Sequence, residues 1–548
     1  MNLVDYLIVI SFIIATFYVG SLFYRWVGTA DDFYLAGRRL TPFILAAIIA
    51  ATNVNLYSFI GQAGIAYREG IPIIWQTWSG NMALVLSGLF VIPLLRRLRV
   101  RTIPEFLGLR YGRGVRTLVA ALWVLRIAFW LGVVLYTAAI AGQTISGFPS
   151  FTAWVLLFSV AVILYTMLGG MWSVAFTDVI QFLFMLAGAL IVLPIAMSLV
   201  GWWPGLEGSL PEGSLTLVQQ TGTYNWQFIF AIFLLGVEWA CVDQGLLQRA
   251  FGAESTKTVA RGLVIAGIIT TPFALLWIVP GLAAGVLLPG LENADAAIPQ
   301  LLATILPHGV LGLVVIGLLS SQLSTISGNL NGAATMFTSD IFEGFLKKAV
   351  SPKQVLFVAR TTTFVVGLSM IAFAYLIPLM GGAVNAYLTI IAVMDMPLFV
   401  IAIVYGLLWK RATWQGAIAG YGAGAVAGVV GQFVLDLGFT FTTFLTAGVA
   451  LVVTPLASLA WRTERPEGIE AIWKARHGSE EERATQNPYH IMPTTGWGRL
   501  AMGILASGLL AFVVGVAAGG AGTEEGSTVA VGGMCLFFAG GLLRAYTN

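Results

Sequence analysis

The sequence predicts an all-α polytopic membrane protein with about 14–15 transmembrane helices. Three observations predict it. Of 548 residues, 58% are hydrophobic and only 10% charged, which is too apolar for a fold that must present a polar surface to water. Apolar stretches long enough to cross ~30 Å of hydrocarbon recur along the whole chain. Lys and Arg gather in alternate connections between those stretches, the asymmetry that orients membrane proteins. The net charge of +3 is therefore a topology signal, and no nucleic-acid partner follows from it.

Taken in order, candidate spans fall near residues 3–24, 42–66, 72–95, 117–147, 150–169, 173–198, 226–247, 262–288, 308–338, 355–378, 383–408, 413–435, 440–460, 498–518 and 527–545. The start, MNLVDYLIVISF, lacks a basic leader, and its apolar run, which ends at Arg25, is read as a retained first span. With the N-terminus outside, the cytoplasmic connections collect Arg25, Arg38 and Arg39, then the arginines from Arg96 to Arg116, then Arg249 to Arg261, Lys347 to Arg360, Lys410 and Arg411, Arg462 to Arg499, and Arg544. The opposite side carries Glu207, Glu212, Glu292, Asp295, Glu524 and Glu525, with Arg68 the exception. This arrangement expects a multi-pass protein of the cell membrane with its C-terminus cytoplasmic. The polar stretch from Trp461 to Trp497 is long enough for a short interfacial helix, not a domain.

Several chemistries find no support. Cys241 and Cys535 lie in separate apolar segments, and His308, His477 and His490 are scattered, so neither a disulfide framework nor a zinc site follows. No GxxxxGK[ST], HExxH or GxSxG motif occurs, so neither ATP hydrolysis nor another enzyme activity is expected.

The chemistry sits where apolar runs are interrupted. In Ile44–Gly64, ILAAIIAATNVNLYSFIGQAG, an apolar run meets Thr52, Asn53, Asn55 and Ser58 and then resumes. Polar or irregular backbone survives at membrane depth only where it lines a protein cavity, so this is read as a broken helix holding a solute and an ion. The plainer alternative is an intact helix whose amides bond to its neighbours. A second interruption lies five spans on, in FIFAIFLLGVEWACVDQGLLQR, with Gly236, Glu238, Asp243 and Gln244. The odd offset makes the two run oppositely through the bilayer, as in paired inverted halves. For Asp243 the alternative is a place at the cytoplasmic mouth, paired with Arg249. In GLLSSQLSTISGNLNGAAT, Ser321, Ser324, Thr325, Gly328 and Asn331 share one helical face. Hydroxyls there, with carbonyls freed by the broken helix, are the hard oxygens a small cation such as Na⁺ requires, although such a stripe alone also serves close helix packing. In LYTMLGGMWSVAFTDVIQ, Gly169 and Gly170 are expected to break one helix from the next, with Asp178 two turns further on.

These stretches resemble the sodium:solute symporter family of sodium–glucose, proline and sialic-acid cotransporters. Gly169, Gly170, Thr177, Asp178 and Gln181 look like its Gly-Gly…Thr-Asp-x-x-Gln signature; TIPEFLGLRYG (102–112) is similar to its loop after the second core helix; WACVDQGLLQR (239–249) resembles its sodium–glucose branch. AATNVNLYSFIG and LLSSQLSTISG match its first and eighth core helices, and the likeness spans residues 5–460. It implies a LeuT-type inverted 5+5 helix repeat with extra N- and C-terminal helices, working by alternating access. The organisation would be an extra helix in 1–30, the transport core in 40–408, peripheral helices in 409–460, a cytoplasmic loop in 461–497 and C-terminal helices in 498–548.

The resemblance also implies ligands. A sodium ion would be held by the carbonyls of Ala51, Val54 and Ser321 and the hydroxyls of Ser324 and Thr325. Asp178 and Ser327 fit a second sodium, but Gly328 stands where another serine would be. In the substrate pocket Asn53 matches a sugar ligand and Trp239 an aromatic inner gate, with Asn55 beside them. The rest departs from the sugar pattern: Tyr57 and Ser58 replace an acid and an amide, Gln76 and Thr77 stand at an acid's place, Thr270 replaces a lysine and Thr389 a glutamine. Arg126 lies within a span, where a guanidinium stays charged and must find an anion. Either it clamps a substrate carboxylate or Glu238 or Asp395 neutralises it, which leaves a near-neutral pocket. The expectation is a sodium-coupled symporter in the lipid bilayer importing a small polar solute, a sugar or polyol before a carboxylate. A passive channel or a non-transporting membrane sensor are the rivals of another class.

Overall fold

In the computed structural model the described residues are 1–22, 29–148, 150–345, 351–380, 387–388, 390–461, 466, 468–476, 478 and 488–547. Thr389 lies outside them, as do Arg25, Lys347, Lys348, Arg462 and His477. The principal helices are α1 (Leu3–Leu22), α2 (Pro42–Asn53), α3 (Ser58–Glu69), α4 (Ile71–Arg97), α5 (Arg113–Ser146), α6 (Phe151–Leu199), α7 (Trp226–Val242), α8 (Gln244–Phe251), α9 (Thr256–Leu287), α10 (Val310–Phe342), α11 (Pro352–Leu376), α12 (Ile391–Leu408), α13 (Trp414–Phe433), α14 (Gly438–Ala460), α15 (Gly468–Ala475), α16 (Gly496–Gly520) and α17 (Gly526–Tyr546). Among the described residues 11 helices are long and apolar enough to cross a bilayer, or up to 13 with the bent pairs α2–α3 and α7–α8 each taken as one span. Shorter apolar helices are Leu3–Thr16, Phe151–Leu164, which is the first part of α6, and Ala294–Ile305.

Two of the three predicted interruptions are real. The axis turns by 51° between α2 and α3 and by 46° between α7 and α8. One predicted interruption is not: α6 keeps helical hydrogen bonding from Phe151 to Leu199, through Gly169 and Gly170. Glycine permits a break but does not compel one; with i→i−4 partners in place, and no water at that depth to replace them, the ladder continues.

α10 runs through the centre, packed along α6, α5, α1 and α11. Its start is tied to α1 by Asp5, whose buried Oδ1 accepts from the amides of Gly309 at 2.7 Å and Gly312 at 2.9 Å. The TIPEFLGLRYG stretch is a short helix, Ile103–Tyr111, capped by the Thr102 hydroxyl accepting from the Glu105 amide at 3.0 Å. From it Arg110 donates to the carbonyls of Gly406 in the last turn of α12 and of Trp409 and Ala412 just beyond it, holding the end of that helix with one buried guanidinium. The polar loop contains the expected short amphipathic helix, α15, which buries Ile469, Ile472 and Ala475. The C-terminal helices α16 and α17 approach backbone to backbone: a Cβ on Gly508 would lie 2.2 Å from the Phe537 amide nitrogen.

Candidate functional site

The site begins at the break between α2 and α3. Helical bonding ends with the Val54 amide donating to Ala50 at 3.1 Å and restarts with Ser58 donating to Asn55 at 2.9 Å. Among the described residues no amide donates across the break to the carbonyls of Ala51 or Val54, which leaves two bare main-chain oxygens inside the protein. The Leu56 amide is taken up by Gln322 Oε1 of α10 at 3.3 Å, and Gln322 is itself anchored by donating to the carbonyl of Val134 and the hydroxyl of Thr137 on α5. A side chain from α10 thus reaches the break between α2 and α3. Two residues on from Gln322 lies the Ser324 hydroxyl, fully buried and facing the Asp178 carboxylate, with no hydrogen bond inside 3.5 Å. Thr325 lines the same cavity as Thr52 and Asn53. Ser321 belongs to the same helix.

The second break supplies the other wall. Asp243 leaves the helical region (φ −64°, ψ 118°) and caps α8, accepting from the Leu246 amide at 3.0 Å. Its remaining charge faces Arg126 Nη1 at 3.5 Å, not Arg249 as the sequence had offered. Arg126 is also held by Asp395, which accepts from Nε at 3.2 Å and from Nη2. Of the two partners expected for Arg126, Asp395 is therefore the one it meets. Asp395 closes a π-helical turn, Ile391–Asp395, a widened turn that swings a side chain off the helical register.

Arg249 instead reaches α6. Its Nη2 donates to Asp178 Oδ2 at 2.9 Å and to the Ser324 carbonyl at 3.2 Å, and Nη1 donates to Gly245 at 2.8 Å. Both side chains of the ion pair are fully buried. The guanidinium lies flat on Gly328: a Cβ there would come within 2.1 Å of both Nη atoms. Ser327 turns back to donate to the Ser324 carbonyl at 3.1 Å.

Between the two breaks is a cavity of about 120 Å³. Asn53, Asn55, Tyr57 and Ser58 line it from the first, Gln76 and Thr77 from α4, Arg126 from α5, and Glu238, Trp239 and Asp243 from the second. Of the predicted substrate residues one is displaced: Thr270 is fully buried behind the wall, donating to Asn81 Oδ1 at 2.9 Å, while Asn81 accepts from Asn53 at 2.7 Å. Sequence reading missed four contributors. Asn81 orients Asn53, and Gln62 accepts from Thr77 and Trp277, each at 2.9 Å. Tyr387 closes against Trp130 with ring centroids 4.4 Å apart. Gln322 was visible only as a polar residue inside an otherwise Ser-rich stripe.

Comparison with known proteins agrees with this geometry. The model of the sodium:solute symporter family matches residues 33–424. The chain belongs to the sodium:solute symporter family. Similar family members include a sodium/glucose cotransporter of Vibrio parahaemolyticus, 28% identical over 80% of this chain and 87% of that protein, and a sodium/myo-inositol cotransporter of Mus musculus, 26% identical over 75% of this chain and 64% of its relative. Among solved structures, a substrate-bound, outward-open Na⁺-coupled sialic acid symporter superposes with a TM-score of 0.76 at 22% identity, covering 85% of this chain and 99% of that one. Mhp1, a nucleobase-cation-symport-1 family transporter, gives 0.56 at 17% identity over 81% and 98%. Both likenesses concern the fold, which is LeuT-type. Family membership makes this chain a membrane transporter of the sodium-coupled solute symporters, not an enzyme.

Proposed function

We propose that this chain is a secondary active symporter of the cell membrane that couples inward sodium flow to import of a small polar organic solute, with a sugar or polyol favoured over a carboxylate. The transport core is residues 40–408, with the N-terminus outside. One observation carries the reading: the bare carbonyls of Ala51 and Val54 occur at a break contacted by Gln322, two residues before the buried hydroxyl of Ser324, which faces the Asp178 carboxylate. A monovalent cation supplies what such oxygens lack. With Thr325, and the Ser321 carbonyl in the same helix, these groups form the sodium site. Sodium bound there bridges the broken helix to α10, stabilises the outward-open state and orders Asn53 and Asn55 for the solute. The membrane potential adds ~2.3 kcal/mol per charge per 100 mV to the driving force.

One sodium per cycle is the reading we favour. Asp178 and Ser327 are the residues for a second ion, but a guanidinium already lies against Gly328 and neutralises Asp178. Arg126 argues against a carboxylate substrate, because both of its edges are engaged by Asp395 and Asp243. The hydroxyls and amides of Asn53, Gln76 and Thr77 suit a hydroxylated solute, and relatives named for glucose and myo-inositol share the family. The test is uptake into vesicles. Replacing sodium by potassium should abolish accumulation, the sodium dependence should have a Hill coefficient near 1, and Ser324→Ala with Thr325→Ala should remove the dependence. Accumulation that persists in potassium would reject the coupling.

A further inference from the structure

The cavity carries more negative charge than its own cation can answer. Arg126 is fully engaged: Asp395 takes Nε and Nη2, Asp243 faces Nη1, and the Trp123 ring lies 5.5 Å from the guanidinium carbon. Glu238 is left over. It lines the cavity from α7, is 2% exposed, and receives no hydrogen bond among the described residues. Three carboxylates thus surround one guanidinium. A single sodium ion at Thr325 lowers the surplus by one and leaves one negative charge unanswered at membrane depth, where such a charge is costly and marks function. A carboxylate with no donor adds the cost of an unmade hydrogen bond.

We propose that the solute is a small hydroxylated amine carried as its ammonium cation, and that Glu238 selects it. This deepens the symporter reading above and rests on it. The ammonium N–H groups donate to Glu238 and bring the loaded cavity to neutrality. An anion would add to the surplus, and a zwitterion's carboxylate would find no free cation, since Arg126 is taken. The aromatic wall fits the same chemistry. Tyr57, Trp130 and Tyr387 lie with centroids 4.4–6.3 Å apart beside the cavity, and ring faces of this kind attract cations. The hydroxyls of the solute fall to Asn53, Gln76 and Thr77, the groups that also suit a sugar. Glu238 faces Arg126 on α5, Asp243 at the second break and Asp395 on α12, so its charge is balanced by the solute's cation or by a proton.

The experiment is sodium-driven uptake by the full chain in liposomes, with radiolabelled glucosamine and ethanolamine measured beside glucose, N-acetylglucosamine and myo-inositol. N-acetylglucosamine keeps the shape of glucosamine and removes its charge. We expect at least one amine to enter with a kcat/KM about tenfold or more above the neutral compounds. Glu238→Gln should erase that preference and Glu238→Asp should retain part of it. Equal or faster uptake of the neutral sugars by the wild-type chain overturns the proposal, as does an amine preference that survives in Glu238→Gln. Neutral-sugar uptake that rises on acidification and loses that pH response in Glu238→Gln makes a proton the neutralising cation, and also overturns it. Should Glu238→Gln fail to fold, the wild-type comparison of glucosamine with N-acetylglucosamine decides alone. An amine preference intact but independent of sodium would sink the coupling and leave the solute assignment standing.

Discussion

Of the buried arginines, Arg249 and Arg126 pair with carboxylates, and they do so differently. Arg249 meets one carboxylate, Asp178, in a sealed place where Gly328 gives it room and solvent has none. Arg126 meets two carboxylates on the wall of a cavity and has a third, Glu238, nearby without a partner. The first arrangement is balanced and closed, so it resembles a fixed ion built into the fold. The second is unbalanced and open, so its electrostatics change when something enters. Charge within a membrane protein serves structure where it is cancelled on the spot, and transport where cancellation waits for a ligand.

Substitutions can break this contrast. The largest effect is expected from Arg249→Met, which strands Asp178 in a dry site; losing one partner of a buried pair costs about 3–5 kcal/mol, and thermal unfolding in detergent should register it as a collapse of Tm and of purified yield. Arg126→Gln should differ in kind, with protein still recoverable and uptake lost, because the cavity then holds carboxylates without a counter-charge. Equal loss of yield in both variants would erase the distinction. Gln322→Leu comes next. It leaves the Leu56 amide without an acceptor, a penalty of about 1–3 kcal/mol, and should weaken sodium-induced stabilisation in thermal-shift titrations more than it lowers the Tm of the sodium-free protein. The smallest effect belongs to Arg101→Gln at the membrane edge. Its 3.7 Å contact with Glu343 is about 30% exposed on both sides, and a solvated pair of that kind is worth about 0–1 kcal/mol, so Tm should hardly move.

The fold was legible because the bilayer is a severe solvent. Residues 52–58 and 238–244 place amides and carboxylates where hydrocarbon tolerates none, and both spots are breaks. The residues proposed to hold sodium were named from the same logic joined to the family likeness. Pairing was not legible. Arg249 precedes no visible clue that it would choose Asp178, 71 residues away, over Asp243 one and a half turns away, because ion pairs across helices depend on helix rotation and tilt, not on spacing. Thr270 was misplaced for a related reason: its hydroxyl points at Asn81, and one rotation of α9 decides between cavity and wall. The expected break at Gly169 and Gly170 failed because flexibility in a sequence is permission and not force.

The tie between Asp5 and the amides of Gly309 and Gly312 bears on how the molecule moves. A carboxylate clamped by two main-chain donors at 2.7 and 2.9 Å is a rivet, so α1 travels with the head of α10 whenever that helix rocks. If α10 moves during transport, α1 moves with it, and a cross-link that pins α1 to another neighbour should slow uptake.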